Sequence, residues 1–377
     1  MLYWLLYEVL YPRWIPFPLF GYVTFRTAMA SLTALLLSVL LGPWLIDKLR
    51  QLQIGQYIRE DGPKSHQKKA GTPTMGGVLI IVSVLLPALL FCNLRNPQVW
   101  IVFFSLLSFG LIGFHDDFTK VRRARNLGLT ARAKFGLQVL AALVVGVLLS
   151  GMHFKGMYTT AMNFPFFKQF KPELLMRGFL ESPFTYPLAF LFFYAFLILV
   201  IVGSANAVNL TDGLDGLAIG LMIIAAGAMT VLAYVAGHAV FASYLELSRV
   251  PGAHELTVFC GALTGASLGF LWYNAHPAQV FMGDVGSLAL GGALGTVAVL
   301  IKQEILLIFV GGVFVIEALS VILQVGSYKL RGVRVFKMAP LHHHFEAVGW
   351  AESKIIIRFW ITGLVMALFA LTTLKLR

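Results

Sequence analysis

The sequence predicts an all-α polytopic membrane protein: one integral-membrane domain over residues 1–377 with ten transmembrane helices. Three observations predict it. The 377 residues are 58% hydrophobic and only 12% charged, with a mean hydropathy of +0.81. A soluble globular chain carries about twice that charged share. The apolar residues fall into ten runs near the length of about 20 helical residues that a bilayer crossing takes. The Lys and Arg residues gather in alternate loops, the pattern the positive-inside rule describes.

In chain order the runs are 22–46, 75–94, 98–115, 134–151, 187–205, 214–236, 256–273, 285–301, 305–327 and 354–374. Residues 1–19, rich in Trp, Tyr and Pro, fit an interfacial segment. Segment 152–186, with Phe164-Pro-Phe-Phe167 and several charged residues, is expected to lie on the membrane surface or to fold as a short hairpin. No internal repeat or low-complexity linker interrupts the series, and no cleaved signal peptide is expected at the N-terminus. Ten spans put both termini on one side. Loops 47–74 (Lys48, Arg50, Arg59, Lys64, Lys68, Lys69), 116–134 (Lys120, Arg122, Arg123, Arg125, Arg132, Lys134) and 328–358 (Lys329, Arg331, Arg334, Lys337, Lys354, Arg358) hold most of the 29 Lys and Arg. That side is cytoplasmic, and both termini are periplasmic. The excess of 29 basic over 17 acidic residues fits anionic lipid and an anionic substrate, and not nucleic acid. Cys92 and Cys260 have no CxxC spacing, which gives neither a disulfide framework nor a zinc site.

Five polar clusters fall on the cytoplasmic side. The first is Asp61-Gly-Pro-Lys64-Ser-His66-Gln-Lys68-Lys69 with Gly71-Thr-Pro-Thr74-Met-Gly-Gly77. The second is His115-Asp116-Asp117. The third is Asn206-Ala-Val-Asn209-Leu-Thr-Asp212-Gly213-Leu214-Asp215-Gly216. The fourth is Asn274-Ala-His276 with Phe281-Met-Gly283-Asp284-Val-Gly-Ser287. The fifth is Pro340-Leu-His342-His343-His344-Phe-Glu346. Five loops contributing to one face imply one site at the helix ends.

Each cluster has a chemical reading and a plainer one. Asn206, Asn209, Asp212 and Asp215 recur every three residues, a spacing that would place them near one helix face. The plainer reading is a Gly-punctuated loop with helix caps. Asp116-Asp117 follows an apolar run at its C-terminal end, the unfavourable end for carboxylates. The pair fits a base or nucleophile beside a divalent metal, or else a solvated acid pair. Asp284 is either an N-cap or a Mg²⁺ ligand, since Mg²⁺ takes one or two carboxylates with phosphate oxygens. The 64–77 loop suits phosphate but lacks P-loop spacing, and could serve only as a basic anchor. Three adjacent histidines diverge too much to chelate zinc, so His342–His344 suit contact with a phosphate or sugar.

Gly71–Gly77, His115–Asp117, Asn206–Gly216, Phe281–Ser287 and Pro340–Glu346 together resemble the phospho-N-acetylmuramoyl-pentapeptide transferases of the polyprenyl-phosphate N-acetylhexosamine-1-phosphate transferase superfamily. The resemblance spans the chain. It implies Mg²⁺-dependent transfer of phospho-N-acetylmuramoyl-pentapeptide from UDP-MurNAc-pentapeptide to undecaprenyl phosphate, giving lipid I and UMP. It also implies a multi-pass protein of the bacterial inner membrane, an active-site cleft facing the cytoplasm, and in many members a homodimer. By the same resemblance Asp116, Asp117 and Asp284 are the catalytic acids, with Asp284 on Mg²⁺. Lys69, Thr74, Asn206, Asn209, Asp212, Gly213, Leu214, Asp215, Asn274, Phe281, Gly283, His342, His343 and His344 bind substrate. Phe281 would stack on uracil and Asp215 would accept from its N3–H. Two rivals stay open: an ion-coupled transporter, and a sister transferase using another UDP-sugar.

Overall fold

The computed structural model describes residues 1–11, 18–52, 71–123, 128–167, 170–175 and 186–375. Lys69, together with Arg59, Asp61, Lys64, His66, Lys68 and Arg125, lies outside the described residues. The described helices, in order, are α1 (Val23–Gln51), α2 (Gly77–Phe91), α3 (Pro97–Arg122), α4 (Ala131–Phe154), α5 (Tyr186–Thr211), α6 (Leu217–Gly237) and α7 (Ala239–Tyr244). They continue with α8 (His254–Asn274), α9 (Gly283–Leu300), α10 (Glu304–Val310), α11 (Gly312–Arg331), α12 (Leu341–Val348) and α13 (Glu352–Thr372). A π-helical turn at Tyr3–Leu10 and a 3₁₀ turn at Pro18–Gly21 precede them. Among the described residues the only β pairing is one isolated antiparallel bridge, Ala161 with Glu173. It lies in segment 152–186, whose described part takes the hairpin form: Met162 N donates to Pro172 O and Leu174 N to Thr160 O.

Nine of the described helices are long and apolar enough to cross a membrane: α1, α3, α4, α5, α6, α8, α9, α11 and α13. The run at 75–94 forms α2, which has 15 residues. At about 1.5 Å per residue it reaches about 22 Å, short of a hydrocarbon core of about 30 Å. The run at 305–327 is divided at Gly311, which ends α10 and precedes α11. Two helices outlast their apolar runs. α3 continues through Asp116 and Asp117 to Arg122, and α5 continues through Asn206 and Asn209 to Thr211. Hydropathy marks where a helix leaves lipid, and not where its hydrogen bonding stops.

The bundle closes around α9. Of its span, 89% is buried, against 22% for α11. Its sequence, GDVGSLALGGALGTVAVL, explains this. Small residues let neighbouring backbones approach closely, the usual currency of helix packing in lipid. A Cβ on Gly113 of α3 would overlap the backbone of Asp284. That single missing methyl lets the acidic end of α3 meet the start of α9. At the opposite end of the bundle, Arg26 of α1 forms a bidentate pair with Glu255 of α8, both distances 2.7 Å, and also donates to Phe91 O. Arg26 and Glu255 are both buried.

Candidate active site

The end of α3, the end of α5, the start of α4 and the start of α9 meet at one end of the bundle. α9 opens at Gly283, whose φ of +70° is the left-handed region that suits glycine. A side chain there would crowd Asp117 Oδ2 and Thr74 Oγ1. The preceding stretch is pinned to the 71–77 loop by three backbone bonds. Phe281 N donates to Pro73 O, Gly76 N to Phe281 O and Gly77 N to Met282 O, at 2.8–2.9 Å. The loop thus carries Thr74 to the start of α9 and holds Phe281 beside it.

Asp284 stands one residue inside α9, and its carboxylate turns outward. Oδ1 accepts from Asn209 Nδ2 at 2.6 Å. Oδ2 accepts from Lys120 Nζ at 2.7 Å and Lys134 Nζ at 2.8 Å. Of the two sequence readings of Asp284, the N-cap therefore does not describe it. Lys120 reaches all three acids, with Asp116 Oδ2 at 2.7 Å and Asp117 Oδ1 at 3.1 Å. Lys134 also lies 3.7 Å from Asp116 Oδ2. Both α3 acids are anchored by backbone donors: Leu129 N on Asp116 Oδ1 at 2.7 Å and Val285 N on Asp117 Oδ2 at 3.2 Å. This answers the electrostatic oddity of carboxylates at a helix C-terminus. Two ammonium groups and two backbone N–H groups offset it.

Oxygens of Asp116, Asp117 and Asp284 lie within 4.8 Å of one another. Three carboxylates face two lysines, so the cluster keeps a negative excess. Hard oxygen donors with surplus negative charge are what Mg²⁺ selects, and these residues fit that ion. Asp212, in the turn after α5, feels the field of this cluster. Burial, then the charges of Asp284, Asp117 and Asp215, push its carboxyl up to about 8.

The four polar residues of the Asn206–Asp215 stretch do not share one face, contrary to the reading from their spacing. Asn206 pairs with Gln138 of α4 at 2.6 Å, while Asn209 bonds Asp284 and Ser287. The helix ends at Thr211, and the chain turns. Leu214 is buried, and Asp215 Oδ2 accepts from Ala278 N at 3.1 Å and lies 3.2 Å from His276 Nδ1. Glu352 of α13 closes this group, its Oε1 accepting from Asp215 N at 3.2 Å. Asn274 is buried and bridges Gly216 N and Val280 O. The three histidines of α12 take different partners. His342 is fully buried beside Glu317 (3.3 Å). His343 Nδ1 meets Glu346 Oε2 at 2.6 Å, and His344 Nδ1 accepts from Lys337 N at 3.2 Å.

Ser287 closes the Phe281–Ser287 motif without an assigned role, while the sequence reading leaves out Glu317 and Glu352 and counts Lys134 only as a positive-inside charge. One signal pointed to it. A lysine in the first turn of a helix sits at the wrong end of the dipole, a placement that an acid cluster nearby would repay.

Comparison with known proteins gives a consistent picture. Residues 99–302 match the family described as Glycosyl transferase family 4, and residues 69–81 match phospho-N-acetylmuramoyl-pentapeptide-transferase signature 1. The chain is 66% identical over 378 residues to the phospho-N-acetylmuramoyl-pentapeptide-transferase of Solibacter usitatus, covering 100% of each chain. Relatives of the same description in Koribacter versatilis and Acidobacterium capsulatum are 64% and 66% identical, again covering 100% of both chains.

Proposed function

Because the chain belongs to glycosyl transferase family 4, and within it to the phospho-N-acetylmuramoyl-pentapeptide transferases, we propose that it makes lipid I. It moves phospho-N-acetylmuramoyl-pentapeptide from UDP-MurNAc-pentapeptide to undecaprenyl phosphate and releases UMP. The observation that carries this reading is the meeting of Asp116, Asp117 and Asp284 on Lys120 within 2.7–3.1 Å. Phosphoryl transfer asks the protein mainly for positioning and charge balance, and this cluster supplies both.

Asp284 and Asp117 would hold Mg²⁺. Bound there, Mg²⁺ supplies charge neutralisation for the diphosphate and the departing UMP. Lys120 and Lys134 hold the acids together and lend positive charge to the phosphates. Asp116 takes the proton from the acceptor phosphate, which then attacks directly. Asn209 fixes the Asp284 carboxylate through Oδ1. Lys69, Thr74, Asn209, Asp212, Asp215, Phe281 and Gly283 would bind the uridine diphosphate part, and Asn274 and His342–His344 would line the rest of the donor.

In this reading the chain is one ten-span domain of the bacterial inner membrane. α2 is completed as a span by its flanking residues, both termini are periplasmic and the cleft opens to the cytoplasm. Several features support that orientation. Lys48 and Arg50 end α1, Lys120 and Arg122 end α3, and Lys329 and Arg331 end α11, at the end of the bundle that holds the acids. A soluble anionic donor and a lipid-tethered phosphate can meet there. Two copies would form the homodimer.

The test is UMP release from UDP-MurNAc-pentapeptide and an undecaprenyl phosphate analogue, with and without Mg²⁺. Mg²⁺-dependent release is expected. Absence of release with both substrates and Mg²⁺ present, or preference for a different UDP-sugar, would overturn the assignment.

A further inference from the structure

Glu317 lies in α11, is fully buried, and is absent from the motifs that mark the site. A carboxylate inside an apolar helix is costly unless it is hydrogen-bonded. Among the described residues, the hydrogen-bond and ion-pair partners of its side chain all come from the start of α12. Leu341 N donates to Oε2 at 2.7 Å and His342 N to Oε1 at 3.1 Å. His342 Nδ1 stands 3.3 Å from the same Oε1. These are the first two N–H groups of α12, and the residue before them is Pro340, which offers no side-chain cap. A helix start needs acceptors for its first N–H groups and favours negative charge. Glu317 provides both from a neighbouring helix.

The other edge of the His342 ring completes a chain. Neither ring nitrogen makes a hydrogen bond although the ring is fully buried, so the ring is held by packing beside Glu317, and Nε2 is the nitrogen on the far edge. It lies beneath Gly213, where a Cβ would overlap it. Gly213 is in the turn that carries Asp212 and Asp215. Glu317, His342 and Gly213 therefore connect α11, the histidine helix and the acidic turn through the interior.

We infer that Glu317 is a positioning residue for the nucleotide-sugar donor. It fixes the start of α12 and the seat of the His342 ring. Through these it sets His343 and His344 on one side of the donor and the Asp212–Asp215 turn on the other. The inference rests on the transfer reading above. Glu317 belongs to neither the acid–lysine cluster nor its hydrogen bonds, so its loss is felt in donor binding more than in turnover.

The experiment is steady-state UMP release by full-length protein in detergent micelles, varying donor and lipid acceptor separately. In Glu317→Gln, one acceptor oxygen survives and the charge is lost. Donor KM rises about tenfold, the scale of losing a residue that orients a ligand group, while kcat and acceptor KM stay within about twofold. Gly213→Ala pushes on the same ring from the other side and raises donor KM similarly. The double variant is no worse than the worse single one, because both changes release the same ring. Donor KM within twofold of wild type in folded Glu317→Gln overturns the inference. So do equal changes in all three parameters, or multiplying effects in the double variant. Where Glu317→Gln yields no folded protein, Gly213→Ala carries the test, and an unchanged donor KM there overturns it. A wild-type enzyme that releases no UMP would instead defeat the transfer reading.

Discussion

The two ends of α9 each place lysine against carboxylate, and they differ in balance and exposure. Just past the C-terminal end, Lys302 Nζ meets Glu304 Oε1 and the Tyr158 hydroxyl, and neither charged side chain is exposed to any degree. One base faces one acid in a sealed space. At the N-terminal end three acids face two lysines, and Lys120 and Lys134 keep 30% and 18% of their side-chain surface exposed. The balanced, closed pair ties the outer hairpin to the bundle, with Asn163 Nδ2 donating to Lys302 O at 3.0 Å. The unbalanced, open cluster retains charge that a ligand can use. Ion pairing by itself therefore does not mark a site in this molecule. Residual charge within reach of solvent does.

The contrast can be broken or sharpened by mutation. Asp284→Asn removes the acid shared by both lysines and Asn209. UMP release should fall on the order of a thousandfold or more, the scale of losing a charge-stabilising group in phosphoryl transfer. Excess Mg²⁺ should not restore it fully, and near-normal turnover would remove Asp284 from the metal site. Lys302→Met leaves Glu304 buried and unpaired. Breaking a buried pair this way costs about 3–5 kcal/mol, visible as a lower unfolding midpoint in micelles. The folded fraction should keep the wild-type donor KM; a raised KM would mean that the outer end also shapes the site.

Lys134→Ala removes one of two lysines from the inner cluster and should lower kcat by about 10- to 100-fold. An equal loss from Lys134→Arg would show that the ammonium's compact shape matters beyond its charge. At the small end of the scale is His115→Phe. His115 adjoins Asp116 in sequence but is exposed, and its ring bonds Thr119 of its own helix. Activity within twofold of wild type is expected, and a larger loss would widen the site to the outer face of α3.

Much of the inner cluster was legible before the fold was known. Asp116, Asp117, Asp284 and Asn209 stood out as polar residues at the mouths of apolar runs. The three-residue spacing of Asn206 through Asp215 misled, because it assumed one continuous helix. The chain turns after Thr211, and four residues that would have shared a face go to Gln138, Asp284 and His276 or into the turn. Glu317 was invisible for a different reason. Its value lies in where the start of α12 comes to rest, and no spacing within α11 encodes that.

What the sequence determined alone is that the chain enters lipid repeatedly and gathers polar motifs on one side. Burial of an apolar run depends on about 20 neighbouring residues, so it can be read locally. What only the tertiary structure decided is which charges meet. Lys120 and Asp284 are 164 residues apart, and their contact depends on a close approach at Gly113, a left-handed turn at Gly283 and the reach of Lys134 from a separate helix. Those are properties of packed backbones, set by the whole bundle at once.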